Sequence, residues 1–329
     1  MEERTVKRPE RRAPLALRVS VTDRCGLRCL HCMPAEGVER FEPSQILRYE
    51  EIARFVRLMA AHWRLTKVHV TGGEPLERRD IVECIRMLAA EDVGDLAMTT
   101  NGQRLAALAA PLKRAGLARA NVSLLSLRPR TFREATGGGD LGPTLEGIGA
   151  ACRAGLAPVK CNVVVLRGIN DGEVSDLAQF GIARGLEVRF IELMPLGPAA
   201  GRHREWFVSS DEVLGRLRDR FRLQALGRPP RSSTRLYRAT DADGNSGRIG
   251  VIPSWTQPFC ADCNRLRLTA GGELVGCLAR RSRTSLLALL RTGDELDESR
   301  ILAKVRAVMG RKRVRRAFSR HRYMVKTGG

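Results

Sequence analysis

The chain has 329 residues, 43% of them hydrophobic, and a formal net charge of +21. That length suffices for one large α/β barrel or two ordinary domains with a sizeable core, which at 5% aromatics must rest on Leu, Val, Ile and Ala. No apolar run approaches the roughly 18–20 residues of a membrane span, and residues 1–14, charged and without the apolar centre of a secretory signal, read as a flexible arm.

Leu15 to Val21 alternates apolar and polar residues and predicts a first strand. A loop with three cysteines follows it. Tyr49 to Trp63 has helical spacing through Ile52, Phe55, Val56 and Met59. Lys67 to Thr71 is a strand ending in Gly72-Gly73-Glu74-Pro75. Helices over 79–90 and 105–115 then alternate with strands over 96–99 and 119–124. The loop 137–143 precedes a helix to about 154. Residues 159–165 predict a strand, 171–184 a helix and 187–191 a sixth strand. Six strand–helix units predict a parallel sheet with right-handed crossovers. Six are too few for a closed barrel, so the reading is α/β, an incomplete (β/α)6 TIM-like barrel over residues 15–195. Its site belongs on the rim where strands end and helices begin.

The pattern breaks after Met194-Pro195. Residues 196–309 form a C-terminal α+β segment: a helix over 209–220, strands near 234–240 and 248–252, a Gly-Gly turn at 271–272 and helices over 285–309. Residues 310–329 are a basic tail with eight Lys or Arg in twenty residues, ending in Gly328-Gly329. Such a charge balance attracts polyanions, although elsewhere the basic residues are dispersed.

Six of the nine cysteines form two tight groups. Cys25, Cys29 and Cys32 have C-x3-C-x2-C spacing. Cys260, Cys263 and Cys277 have C-x2-C-x13-C spacing. A cubane cluster has four irons, so three thiolates leave one iron open for a ligand. Zinc also suits such thiols, but it wants a fourth ligand, and the later His321 lies in the basic tail. Cys84, Cys152 and Cys161 stand singly in apolar segments and read as inert core residues. Grouped thiols without a signal peptide argue for a reducing cytoplasm and metal ligation.

Arg265 and Arg267 lie two apart on a predicted strand, so they face one way beside the second trio. Guanidinium suits bidentate phosphate binding. The glycines of Gly72-Gly73-Glu74 let backbone approach a ligand, and Glu74 can accept a bond from an ammonium group. Gly137 to Gly142 formally fits G-x-G-x-x-G. It sits in a long loop with no acidic partner on a second strand, so it is no dinucleotide site.

Together these pieces resemble the radical S-adenosylmethionine (SAM) superfamily, and most closely the MoaA family, the GTP 3′,8-cyclases of molybdenum cofactor biosynthesis. The resemblance rests on Cys25-x3-Cys29-x2-Cys32-Met33-Pro34, Thr71-Gly72-Gly73-Glu74-Pro75-Leu76, Thr99-Thr100-Asn101-Gly102, Gly168-Ile169-Asn170-Asp171, Arg189 to Pro195, Phe259 to Thr269, Cys277-Leu278 and Gly328-Gly329. It implies two 4Fe–4S clusters. Cys25, Cys29 and Cys32 would hold the one whose open iron chelates SAM. Cys260, Cys263 and Cys277 would hold the one that binds guanine. One-electron cleavage of SAM would give a 5′-deoxyadenosyl radical that takes the 3′ hydrogen of GTP, after which the ribose attacks C8.

By position, the resemblance gives His31, Gly73, Ser123 and Met194 as SAM contacts. It gives Arg18, His69, Thr100, Lys160, Arg265 and Arg267 as GTP contacts, with Lys67 and Arg189 at further basic positions. The catalytic set is Cys25, Cys29, Cys32, Arg265 and Arg267. The implied partners are GTP, an electron donor such as flavodoxin or ferredoxin, and cyclic pyranopterin monophosphate synthase downstream. Neither nucleic acid nor membrane is implied, and a homodimer is compatible. The Gly-Gly end implies a tail that folds back into the pocket.

Four positions depart from the family pattern. His31 stands for Tyr, Gly26 for Asn, His69 for Arg and Leu125 for Asp. The last two point to an alternative, a divergent radical SAM paralogue acting on another nucleotide. The charge and thiols alone also admit a zinc-containing nucleic-acid-binding protein, which would show salt-dependent binding.

Overall fold

The computed structural model describes residues 13–279, 282–291, 296–312 and 324–327. Among them, the strands of both halves form one continuous sheet. The six predicted units are present: β1 (Pro14–Ser20), α1 (Tyr49–His62), β2 (Arg64–Thr71), α2 (Ile81–Ala89), β3 (Leu96–Thr100), α3 (Leu105–Arg114), β4 (Arg119–Ser123), α4 (Pro129–Thr136), α5 (Leu141–Arg153), β5 (Lys160–Val164), α6 (Val174–Ala183) and β6 (Glu187–Ile191). Then come α7 (Ala199–Trp206), α8 (Ser210–Arg218), β7 (Arg222–Gly227), β8 (Arg235–Thr240), β9 (Ser246–Ile252), β10 (Arg265–Leu268), β11 (Glu273–Val275), β12 (Thr284–Ser285), α9 (Leu287–Leu290), α10 (Glu298–Gly310) and α11 (Met324–Thr327).

The sheet order is β12-β11-β10-β1-β2-β3-β4-β5-β6-β9-β8-β7. The partial TIM barrel is thus longer than its six units. β10 pairs parallel with β1, and β9 pairs parallel with β6. A six-stranded sheet leaves two edges with unpaired backbone groups, and the C-terminal strands cover both.

Alternation along the parallel strands sorts the side chains. In β1, Leu15, Leu17 and Val19 are fully buried in the main hydrophobic core, while Arg18 takes the other face. In β10, Leu266 and Leu268 face the core and Arg265 and Arg267 do not. β2, β5 and β6 repeat the pattern, with Val68 and Val70, Cys161 and Val163, and Val188 and Phe190 in the core. The outer face packs on helices such as α1, whose Ile52, Phe55, Val56 and Met59 are fully buried as their spacing predicts. The inner face is polar and surrounds a cavity.

Three local expectations change. The helical stretch predicted over 285–309 is broken among its described residues into β12, α9 and α10. α4, which opens on Pro129, is an additional helix. Cys152 is exposed in the last turn of α5, whereas Cys84 and Cys161 are buried as expected.

Candidate active site

The inner face encloses a cavity of about 450 Å³, within the usual range for small-molecule sites. All eight parallel strands, β10, β1 to β6 and β9, contribute to its lining, so the sheet is curled around it. All six grouped cysteines line it, as do His31, Gly73, Ser123, Met194, Arg18, Lys67, His69, Thr100, Arg189, Arg265 and Arg267. Lys160 alone of the predicted site residues is not in the lining. It is 7% exposed and pairs with Glu187, its Nζ 3.2 Å from Oε1.

The first cysteine loop leaves β1 and is held on two sides. On one side, Gly73 N donates to Thr22 O at 2.6 Å and Glu74 N to Arg24 O at 2.7 Å. A Cβ on Gly73 would stand 2.1 Å from Arg24 O. The close approach that these glycines allow is therefore to the cysteine loop itself. Glu74 is likewise engaged by the protein. It accepts from Thr100 Oγ1 at 2.7 Å, Asn101 N at 2.6 Å and Leu76 N at 3.0 Å. Thr100 Oγ1 also accepts from Gly102 N. On the other side, Arg28 N and Leu30 N donate to Thr136 O and Ala135 O at the end of α4. Gly137, in the left-handed region at φ +63, caps that helix against Arg28. The sequence alone gives no reason to join α4 to the cysteines.

The second trio is assembled by the β10–β11 hairpin. Cys263 precedes β10 and Cys277 follows β11, and the antiparallel pairing of Arg267 with Val275 brings those ends together. Lys312, at the end of α10, donates to the carbonyls of Cys263 and Arg265, and its Nζ lies 3.9 Å from Cys263 Sγ.

Thiols are the donors in both trios, three each, facing one cavity. Burial pushes the Cys25 thiol up to about 11. Burial and then the neighbouring Cys32 and Cys25 hold Cys29 well above the ordinary thiol value. Thiolates placed so need nearby positive charge, which a bound metal centre supplies. The residues present fit two iron–sulfur clusters. Among the described residues no three His, Cys, Asp or Glu side chains close on a single metal ion.

Between the trios lies a wall of cations. Arg18 is the register partner of Arg267 on one side and of His69 on the other. Burial first, then Arg267 and Arg265, pull Arg18 well below its ordinary value. Burial, opposed by nearby Asp95, leaves Lys67 at about 7. Arg265 donates to Ser233 Oγ at 3.0 Å, and its guanidinium lies 4.4 Å over the Phe259 ring. His69 is 4% exposed, with Nε2 2.6 Å from Thr99 Oγ1 and 3.4 Å from Asn121 Nδ2. Burial, then Arg18 and Lys67, hold it well below the ordinary imidazole value, so it is neutral. The two carboxylates of the lining, Glu74 and Glu192, follow β2 and β6 on the cysteine-loop rim.

The wall also carries buried polar atoms without a protein partner: Thr71 Oγ1, Asn101 Nδ2, Asn121 Oδ1, Asn162 Oδ1 and His31 Nδ1. Each costs about 1–3 kcal/mol while unpaired, so the cavity suits a polar ligand. Sequence reasoning passed over Asn121 and Asn162. Period-two alternation from Ser123 and Lys160 reaches them. Ser233 and Lys312 carry no such signal. Met324 of α11 lines the cavity and Lys326 lies over the Phe41 ring, so this part of the tail folds back. Gly328, Gly329 and His321 fall outside the described residues.

Residues 19–181 match the Radical SAM superfamily, and residues 186–318 match Molybdenum Cofactor Synthesis C. The chain is 42% identical over 280 residues to a GTP 3′,8-cyclase of Alkaliphilus oremlandii, covering 85% of each. It is 44% identical over 283 residues to that of Streptomyces coelicolor, covering 86% of this chain and 82% of the other. Among solved structures, Streptococcus suis SuiB bound to precursor peptide SuiA superposes with a TM-score of 0.63 at 15% identity, over 96% of this chain and 70% of SuiB. SuiB bound to S-adenosylmethionine gives 0.60 at 14% identity, over 86% and 67%. At such identity the likeness is one of fold.

Proposed function

The chain belongs to the GTP 3′,8-cyclase family of the radical SAM superfamily, and we propose that its cavity holds GTP between the two cysteine trios. It is a radical SAM lyase that converts GTP to 3′,8-cyclo-7,8-dihydro-GTP, the first step of molybdenum cofactor biosynthesis. The observation that carries the placement is geometric: both trios and the Arg18–Arg267 wall face one cavity. The family sets aside the zinc-containing nucleic-acid reading.

Cys25, Cys29 and Cys32 would hold the SAM-binding 4Fe–4S cluster, with His31, Gly73, Ser123 and Met194 around the SAM. Cys260, Cys263 and Cys277 would hold the second cluster at the guanine end. When bound, the first cluster and SAM supply the one-electron chemistry that removes the ribose 3′ hydrogen. The chain's own residues bind, orient and exclude water. A triphosphate carries about four negative charges, and guanidinium pairs its oxygens bidentately. Arg18, Arg265 and Arg267, with Lys67, Arg189 and the paired Lys160, supply the matching cations. Neutral His69 offers a hydrogen bond beside them, and Thr100, whose hydroxyl hydrogen goes to Glu74, can only accept one. Fixing the triphosphate in the wall leaves the ribose between it and the SAM end, where Asn121 and Asn162 present free amide oxygens.

Turnover needs two electrons from a low-potential donor such as flavodoxin or ferredoxin, one to cleave SAM and one, with a proton, to reduce the cyclised nucleotide radical, and the product passes to cyclic pyranopterin monophosphate synthase. A cytoplasmic setting keeps six such thiols reduced for iron. Among the described residues no helix is long and apolar enough to cross a membrane. The test is anaerobic reconstitution with iron and sulfide, followed by SAM, reductant and GTP. Cyclised product with stoichiometric 5′-deoxyadenosine is expected. SAM cleavage with GTP intact would instead favour a paralogue acting on another nucleotide, the reading that neutral His69 supports.

A further inference from the structure

Glu187 stands apart from the other buried carboxylates around the cavity. Glu74 and Glu192 accept only from neutral donors; Glu192 takes Ser210 N and Oγ, Trp255 N, and Thr256 N and Oγ1. Glu187 instead faces two cations with one oxygen. Its Oε1 lies 2.6 Å from Arg189 Nε and 3.2 Å from Lys160 Nζ. Glu187 is 5% exposed. Asn121, Lys160 and Glu187 are successive register partners on β4, β5 and β6, so they share the inner face. Arg189 lines the cavity, while Lys160 and Glu187 lie behind the lining. Asp95 pairs with Lys67 and Arg119 in a similar way, but with its side chain 24% exposed it is partly in water.

We propose that Glu187 is a resident counter-anion that holds Lys160 and Arg189 in place and competes with the incoming polyphosphate for them. The proposal rests on the reading of this cavity as a nucleoside triphosphate site. Buried Lys160 and half-buried Arg189 without a counter-charge would repel each other and the rest of the wall. A carboxylate oxygen between them removes that repulsion and fixes both side chains. A polyphosphate chain offers the same kind of oxygen, with more charge, to the same two groups. Its gain on binding is therefore the difference between two anions rather than the full attraction of the cations. Glu187 in this sense is a positioning residue that sets affinity for the phosphate chain.

The test uses reconstituted, anaerobic holoenzyme and inorganic triphosphate as the probe. E187Q keeps the shape and removes the charge. Its Kd for inorganic triphosphate is expected to fall about tenfold, within the usual span of coupling between charged groups. The salt dependence of that Kd should steepen, because more uncompensated positive charge faces the ligand. A purely structural ion pair would move neither in that direction. Adding both K160Q and R189Q to E187Q should remove most of the gain. A folded E187Q with unchanged or weaker triphosphate binding overturns the proposal, as does a gain that survives loss of both cations. If E187Q unfolds alone, thermal melts with and without triphosphate decide: rescue supports the proposal and its absence overturns it. Inorganic triphosphate carries no nucleoside, so failure of GTP cyclisation in the wild type would be read separately from this result.

Discussion

Arg18 and Arg267 stand opposite each other on parallel strands, two guanidinium groups side by side on one cavity wall. Like charges so placed raise the energy of the empty site, and an anion between them lowers it. R267M is therefore expected to act in two directions. GTP binding should weaken by about 10- to 100-fold, the span of a lost charge-assisted pair. The melting temperature without GTP should hold or rise. Titration calorimetry and thermal melts check both, and a fall in ligand-free stability with unchanged GTP affinity would refute the wall's role.

Gly73 is expected to be intolerant for the sake of the cysteine loop. In G73A the new methyl meets the Arg24 carbonyl, and the loop must shift. Overpacking of this kind costs about 1–3 kcal/mol. Iron content after reconstitution should drop by about half relative to wild type, since the second trio is far along the chain and untouched. Full iron loading with normal SAM cleavage would count against this account.

Lys312 is expected to matter for the second trio only. K312M removes the cation beside Cys263 Sγ and the bonds to the carbonyls of Cys263 and Arg265. Electron paramagnetic resonance of the reduced protein should show a lowered midpoint potential or reduced occupancy for one cluster, with the other unchanged. Equal effects on both signals would show that the residue acts through global stability instead.

His31 carries a pH dependence whose sign is fixed by burial. Its imidazole is pushed down to about 4 from an ordinary value near 6.5. A His with a depressed folded value is neutral in both states at pH 7 and contributes no penalty there. As pH falls below about 6.5 the unfolded chain gains a proton that the folded chain refuses, so stability falls until about pH 4. Between pH 7 and pH 5 the loss is up to about 2 kcal/mol. H31Q should remove that part, and its urea midpoint relative to wild type should improve on acidification. A constant difference between the two across that range would contradict the burial.

How legible all this was in the sequence depends on the distance over which each feature is determined. Arg18 between Leu17 and Val19, or Arg267 between Leu266 and Leu268, shows its inward direction by alternation alone. The spacing of the cysteine trios shows their chemistry as plainly. The close approach of Gly73 to Arg24 O is not legible, because the two meet only after β1 and β2 pair. The pairing of Lys160 with Glu187 is hidden for the same reason: Glu187 is a strand away. Six βα units were countable, but the pairing of β9 and β10 onto the edges was not. Edge pairing is chosen by the whole sheet and leaves no periodic mark of its own.

That edge pairing bears on how the protein is made. Pro14 and Asn264, at the starts of β1 and β10, are hydrogen-bonded across 250 residues of sequence. At about 5–20 residues per second, a ribosome delivers β10 on the order of tens of seconds after β1. During that interval one side of β1 has its backbone groups unpaired, while the first cysteine loop can already lean on Gly73, Glu74 and α4. The two metal centres would then mature in a set order, the loop after β1 first and the hairpin trio last. A chain released before residue 268 would carry an open, apolar strand edge, the form most prone to self-association.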